Sequence, residues 1–346
     1  MVAVVACVLA LSAVATVPAG ATTSTGGYTR TNLVSDIPGA AQVLDPNLVN
    51  AWGMAAGPAT PVWVSAADSG VSTIYRGANG ATPVSIVPLV VTIPGGAPTG
   101  QVFNPTSGFA VNGAQPAVFI FASESGNITA WNPTLGTTAA IEATTPDAVY
   151  KGLALASGTG GTHLYAANFH AGTIDVFDSS FAPTTLSGSF VDPTMPADYA
   201  PFNVQEIGGS LYVTYAKQDA DGHDDVKGAG HGFVDVFTPD GALVRRLVSQ
   251  GRLNSPWGLA LAPSDFGRFS GALLVGNFGN GRIHAYDPTT GHLLGTLSAK
   301  NHPIVIDGLW GLRFGNGVTG DPNSLLFTAG PNDEAHGLFG MIRPSA

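Results

Sequence analysis

The sequence predicts an all-β fold, a six-bladed β-propeller of four-stranded blades in which the N-terminal strand closes the ring. Three observations predict it. From Asn254 onward stand four short apolar runs, Trp257 to Ala262, Ala272 to Asn277, Arg282 to Tyr286 and His292 to Ser298, each bounded by Gly, Pro, Asn or Asp. Short strands with such turn punctuation make a meander. The Trp257-Gly258-Leu259 core recurs at Trp52-Gly53-Met54, Gly108-Phe109, Gly152-Leu153, Asn203-Val204-Gln205 and Trp310-Gly311-Leu312. Aligned on Gly53, Gly108, Gly152, Gln205, Gly258 and Gly311, the copies follow one another at steps of 55, 44, 53, 53 and 53 residues. The third observation is an independent frame, a glycine opening the third strand of each unit, at Gly70, Gly126, Gly172, Gly232, Gly281 and Gly337. Five residues beyond it stand Tyr75, Trp131, Phe177, Phe237, Tyr286 and, in the last copy, Ile342.

Taken from the N-terminus, residues 1 to 17 are apolar and lead into Pro18-Ala19-Gly20-Ala21, a small-residue cleavage site. Residues 1–21 therefore read as a signal peptide, which implies secretion or a periplasmic location after cleavage near Ala21. Residues 22–346 read as one propeller domain. Within it, Tyr28 to Ser35 is a strand that belongs to no complete unit, while the sixth unit ends after its third strand, at Gly337 to Ile342. The first supplies the outer strand that the last lacks, and closure removes two sheet edges. A lone four-stranded meander cannot bury both faces, so radial stacking of the units is the economical arrangement.

Composition agrees. Gly 46 and Pro 25, with only 10% charged residues, suit a turn-rich β protein. The net charge of −10, with 13 basic residues spread along the chain, argues against nucleic acid as a partner, because phosphates require clustered Lys and Arg. Cys7 is the only cysteine and falls in the leader, which leaves no disulfide or thiol chemistry to the mature chain. Beyond the leader, no stretch is long and apolar enough to span a bilayer.

In a propeller the loops leading into the inner strands share one end of the channel with the loops between second and third strands. The first set offers Asn50, Asn104, Lys151, Asn203, Asn254 and Asp307. The second offers Asp68, Glu124, Asn168 with His170, an insert at 217–231, Asn277, and Asn332 to His336. Such a ring of amides and acids is a candidate ligand-binding mouth, although Asn and Asp at strand ends also serve turns. Within the insert, Asp219, Asp221 and Asp225 form a D-x-D-G-x-x-D loop. Alternating carboxylates about a glycine bend suit a hard cation such as Ca²⁺. His170, His231 and His336 stand at nearly equivalent blade positions and could serve as metal ligands or general bases. The chain holds no G-x-S-x-G, H-E-x-x-H, P-loop or paired-cysteine motif, and nothing in it implies an organic cofactor.

The units resemble the NHL group of six-bladed propellers. The runs VLDPNLVNAWGM (43–54), APFNVQEI (200–207), YAKQDADGHDD (215–225), GHGFVDVF (230–237), NSPWGLALAP (254–263) and IDGLWGLRFGNG (306–317) are similar to a family of secreted bacterial propeller proteins. That resemblance implies export and a propeller and leaves catalysis open. Gluconolactonase-like propellers share the blade number and would imply a metal-dependent hydrolase, with Asn104, Asn203 and Asp307 carried into its channel site. Their acidic residue ahead of a G-P-x-W run is replaced here by Asn50-Ala51-Trp52-Gly53. The expected function is thus binding of a small molecule, glycan or protein partner at the polar mouth, with a Ca²⁺-like ion stabilising the insert. The alternative is a metal-dependent hydrolase or lyase with its site in the central channel.

Overall fold

The short apolar runs become antiparallel strands, which the computed structural model, describing residues 27–345, gathers into six small sheets and two accessory hairpins. The expected signal peptide and Cys7 lie outside the described residues. The inner strands are Ala51–Ala55, Pro98–Phe103, Tyr150–Gly158, Tyr199–Ile207, Pro256–Leu261 and Leu309–Phe314, defining blades one to six. Each touches the inner strand before and after it, and the sixth touches the first, so the ring is closed. Among the described residues no helix is long and apolar enough to cross a membrane.

Closure follows the expected plan. Tyr28–Ser35 pairs antiparallel with Leu338–Pro344 and completes blade six. Asp36, immediately after that strand, accepts the Gly337 amide at 2.9 Å and pairs with His336 Nδ1 at 2.8 Å, which latches the two chain ends together. The aromatic series is packing: Tyr75, Trp131, Phe177, Phe237 and Tyr286 each sit in a different apolar cluster between blades, as does Ile342 in the last.

Three details differ from the sequence reading. Blade two begins at Pro98, so its repeat glycine is Gly100; Gly108 lies beyond the strand, and Phe109 packs in an inter-blade cluster. In blade four the counterpart of that glycine is Asn203 rather than Gln205. Blade three has three strands, Tyr150–Gly158, Gly161–Asn168 and Thr173–Phe177, followed by a single bridge from Phe177 to Pro183. The segment beyond carries Pro183, Pro193 and Pro196, which lack the amide hydrogens that a fourth strand needs.

One feature repeats in every blade. Each inner strand bulges against its neighbour just ahead of, or at, the repeat position: at Trp52, Thr99, Lys151, Phe202, Trp257 and Trp310. A bulge leaves a residue unpaired and re-aims its side chain. The residue that follows is Gly53, Gly100, Gly152, Asn203, Gly258 or Gly311, where neighbouring inner strands come closest. A Cβ on Gly53 would lie 2.3 Å from the Thr99 carbonyl oxygen, and one on Gly152 would lie 2.4 Å from Asn203 Oδ1.

Because the atoms in the way at Gly53 are backbone, they cannot swing aside. Gly53→Ala is expected to cost about 1–3 kcal/mol, the range for overpacking, in urea unfolding of the purified chain; a loss below about 0.5 kcal/mol, typical of a surface substitution, would contradict the close approach.

Candidate binding site at the channel mouth

Five of the six re-aimed residues build the floor of the mouth, while Thr99 donates to the Tyr150 carbonyl. Four are aromatic, Trp52, Phe202, Trp257 and Trp310, and with Phe169 and Phe278 they form one buried cluster. Trp310 is sandwiched, stacked on Trp52 with centroids 3.7 Å apart and on Phe278 at 3.9 Å. In blade three the same position carries Lys151, whose side chain is only 2% exposed. Its ammonium lies 5.3 Å from the Trp52 ring centroid and 6.0 Å from that of Phe169, so the aromatic faces offset part of its lost hydration. The remainder is met by carboxylates: Lys151 Nζ pairs with Glu124 Oε1, and with Asp224 Oδ1 at 3.4 Å.

Asn50 organises the adjoining half of the mouth. Its Oδ1 accepts the Trp310 indole N–H at 3.2 Å, which fixes the amide so that Nδ2 faces two acids. That nitrogen donates to Asp68 Oδ1 at 3.2 Å and to Glu334 Oε2 at 2.7 Å. Burial pushes the Glu334 carboxyl up to about 7, Glu124 and Asp68 add to the rise, and the Asn50 hydrogen bond and Lys151 oppose it. Glu334 is therefore poised to exchange a proton near neutrality.

The backbone that holds Glu334 is unusual. Asn332, Asp333 and Glu334 have φ of 59°, 49° and 69°, three successive residues in the left-handed region. Each costs on the order of 1 kcal/mol outside glycine, and the loop is anchored by Asp307 Oδ2 accepting the Asn332 amide at 2.8 Å. Asn50, Ala97 and Ser255, each directly before an inner strand, share that conformation with φ of 49°, 43° and 47°. Backbone of this kind therefore borders the mouth in blades one, two, five and six.

The insert of blade four covers part of this mouth. It folds back on itself through a Gln218 to Asp225 bridge, and His170 Nδ1 contacts the Asp221 carbonyl oxygen at 3.1 Å. Its tip brings His223 and Asp224 to Glu124. Ligand atoms of Glu124, His223 and Asp224 lie within 4.8 Å of one another, the one group of that kind among the described residues. Asp219, Asp221 and Asp225 do not gather in this way. Asp219 Oδ1 caps the His223 amide at 2.9 Å, Asp221 is exposed, and burial pushes the Asp225 carboxyl up.

The other sequence candidates divide between the site and turn geometry. Asn50, Asp68, Glu124 and Lys151 meet at the mouth, and Asp307 supports it. Asn203 sits in the narrow waist below the aromatic floor, where Nδ2 donates to the Trp257 carbonyl at 2.8 Å. Asn104 is a correction: it follows Phe103 at the far end of the inner strand and donates to the Gly108 and Ala117 carbonyls, so it belongs to the opposite face. Asn254 Oδ1 accepts the Gly228 amide, and Asn277 Nδ2 donates to the Arg252 carbonyl. His170, His231 and His336 contact Asp221, Val226 and Asp36 respectively and do not share a site. Sequence reasoning missed Glu334, His223 and Asp224 as named members, although all three fall in loops it singled out. The D-x-D-G-x-x-D pattern favours Asp225, whereas the hairpin brings the exposed Asp224 to Glu124 and Lys151.

The raised carboxyl has a measurable consequence. Between the ordinary glutamate value and about 7 the folded state keeps a proton that the unfolded chain has lost, so Glu334 lowers stability as pH rises through that window. Glu334→Gln keeps an acceptor for Asn50 and removes the effect. In denaturant unfolding at pH 5 and pH 8, the variant is expected to gain on the order of 1–3 kcal/mol over the wild type at the higher pH. Parallel pH profiles would contradict the buried carboxyl.

Comparison with known proteins places this geometry in context. No protein-family model matches the chain. Among solved structures, virginiamycin B lyase from Staphylococcus aureus is similar with a TM-score of 0.51 at 10% identity, covering 91% of this chain and 98% of that one. A streptogramin B lyase is similar with a TM-score of 0.53 at 10% identity, covering 94% and 100%. At such identity the likeness shows the propeller fold alone. Sequence relatives are viral, whereas the motif runs pointed to a bacterial family. Uncharacterized protein R648 of Acanthamoeba polyphaga mimivirus is 34% identical over 323 residues, spanning 90% of this chain and 78% of the relative. Uncharacterized protein L690 of the same virus is 34% identical over 258 residues, spanning 71% and 67%. The chain belongs to the protein family of these two mimivirus relatives.

Proposed function

We propose that this protein is an exported, NHL-like propeller that binds a small polar molecule or glycan at the channel mouth, with a divalent cation held between the insert and blade two. The observation that carries the reading is convergence. Asn50 and Asp68 of blade one, Glu124 of blade two, Lys151 of blade three, Asp224 of blade four and Glu334 of blade six act on one another above a shared aromatic floor. Groups of both signs over apolar rings, with one carboxyl shifted toward neutrality, are the marks of a binding or catalytic pocket. Export rests on the apolar leader of residues 1–21. The cation would lie at Glu124, His223 and Asp224, where it links the insert to the ring and competes with Lys151 for the same carboxylates. Ca²⁺ takes six to eight oxygens, and two carboxylates with an imidazole supply fewer, so any Ca²⁺ held here completes its shell with water or ligand oxygens.

A second reading, a metal-dependent hydrolase or lyase, is favoured by that same donor set. A mixed nitrogen and oxygen triad suits a borderline metal that activates water or polarises a carbonyl, and Glu334 would serve as its acid or base. The lyases among the structural neighbours share the architecture only.

Elemental analysis and calorimetry with Ca²⁺, Mn²⁺ and Zn²⁺, followed by a screen of lactones and esters with and without chelator, separate the readings. Binding predicts a stoichiometric ion and no turnover; chelator-sensitive turnover would overturn it in favour of the enzyme. His223→Ala and Asp224→Asn are expected to weaken ion binding at least tenfold and Asp221→Ala to leave it unchanged. The reverse pattern would move the ion back to the acidic loop of Asp219, Asp221 and Asp225.

A further inference from the structure

The channel has a second opening. Met54, Gln101, Leu153, Gln205 and Arg313 line both an axial throat of about 40 Å³ and a wider vestibule of about 260 Å³, so the two form one funnel. All five follow the repeat position on their inner strands, which places the funnel beneath the waist, at the end opposite the mouth.

Arg313 is anomalous there. It stands two residues past Gly311, and its counterparts in the other blades are Ala55, Val102, Ala154, Gln205 and Ala260, none of them charged. Blade packing therefore does not call for a guanidinium at this position. Its Nη2 donates to the Ala56 carbonyl at 2.9 Å, while Nε is buried with no partner. Among the described residues no carboxylate forms an ion pair with it. Glu206, the acid of the vestibule wall, is engaged with the Gly209 amide of its own hairpin at 2.7 Å. Burial holds the Arg313 pKa below the usual arginine range. Arginine nonetheless stays charged in proteins, and a desolvated charge is offset by a counter-charge far better than by a neutral group.

Gln101 adds a complementary group. Its Nε2 donates to the Gly53 and Trp63 carbonyls at 2.9 and 2.7 Å, which fixes the amide orientation. Oε1 is then an acceptor, buried and without a partner. The wall of one funnel thus holds a cationic donor and an unpartnered acceptor, around a volume near the lower bound of small-molecule sites, about 300 Å³.

We propose that this funnel binds a small oxyanion, a carboxylate or phosphate group clasped by the Arg313 guanidinium, with a hydroxyl or amine of the same molecule donating to Gln101 Oε1. The planar guanidinium fork matches both oxyanions. The site is separate from the mouth and does not depend on what binds there.

The test is calorimetry of the purified chain at low salt with succinate, inorganic phosphate and neutral succinamide, while the methyl signals of Met54 and Leu153 are followed by NMR. Saturable binding of succinate identifies a carboxylate site, binding of phosphate alone a phosphate site, and succinamide is expected not to bind. Arg313→Met is expected to lower affinity at least tenfold, and Arg313→Lys less. Gln101→Glu, which places a negative charge in the wall of the same funnel, is expected to abolish binding and keeps the test decisive if Arg313→Met fails to fold. Absence of binding by both anions, binding that survives Arg313→Met and Gln101→Glu unchanged, or methyl shifts confined to other residues would overturn the proposal.

Discussion

The contact on which this structure depends is the approach of six inner strands to one another around the axis. At the closest point Gly53, Gly100, Gly152, Gly258 and Gly311 leave no room for a Cβ. The fold meets this demand with one device used six times, a bulge that turns one side chain toward the axis followed by a residue small enough to let the next strand in. Asn203, the exception among the glycines, spends its amide on the Trp257 carbonyl and its Oδ1 on the Val204 amide, so the waist is satisfied as well as narrow.

That device also divides the channel chemically. Above the waist, the re-aimed Trp52, Phe202, Trp257 and Trp310 form a dry floor, and the low-dielectric surface makes every charge placed on it matter more than it would in water. Lys151, at the same bulge position, is the cation around which Glu124 and Asp224 collect. Asn50, locked by Trp310, gathers Asp68 and Glu334. The strained residues at 332–334 keep Glu334 on the Asn50 amide, a cost consistent with a site that positions a carboxyl rather than with a loop that merely turns. Below the waist the same inner strands become apolar apart from Gln101, Ser157, Gln205, Glu206 and Arg313, and the channel widens into a different kind of space.

The architecture was largely legible in the sequence because blade packing is periodic. A glycine at each third-strand start and, in five of the six units, an aromatic five residues later survive as a pattern, each aromatic filling one inter-blade cluster. Ring closure was legible because Tyr28 to Ser35 and the truncated sixth unit complement one another. Blade two was misplaced because Thr99 stands where blades one, five and six carry a Trp before the repeat glycine, which let Gly108-Phe109 pass as the copy. That shift carried Asn104 to the wrong face. The candidate site was half legible: loop membership followed from the meander, which put Asn50, Asp68, Glu124 and Lys151 in loops of one end, where they lie in the structure. Which residue of a loop reaches the neighbouring blade's polar groups depends on hairpin register and backbone strain, and neither leaves a spacing signature. Asp224 rather than Asp225, and Glu334 rather than His336, are the two instances.

The central claim is that groups from five blades share one electrostatic environment at the mouth. Its most direct measurement is the titration of Glu334 by NMR of carboxyl-labelled protein, in the wild type and in Lys151→Met. The account predicts a midpoint near 7, moving upward when the opposing cation is removed. An ordinary glutamate midpoint, unmoved by the loss of Lys151, would contradict it.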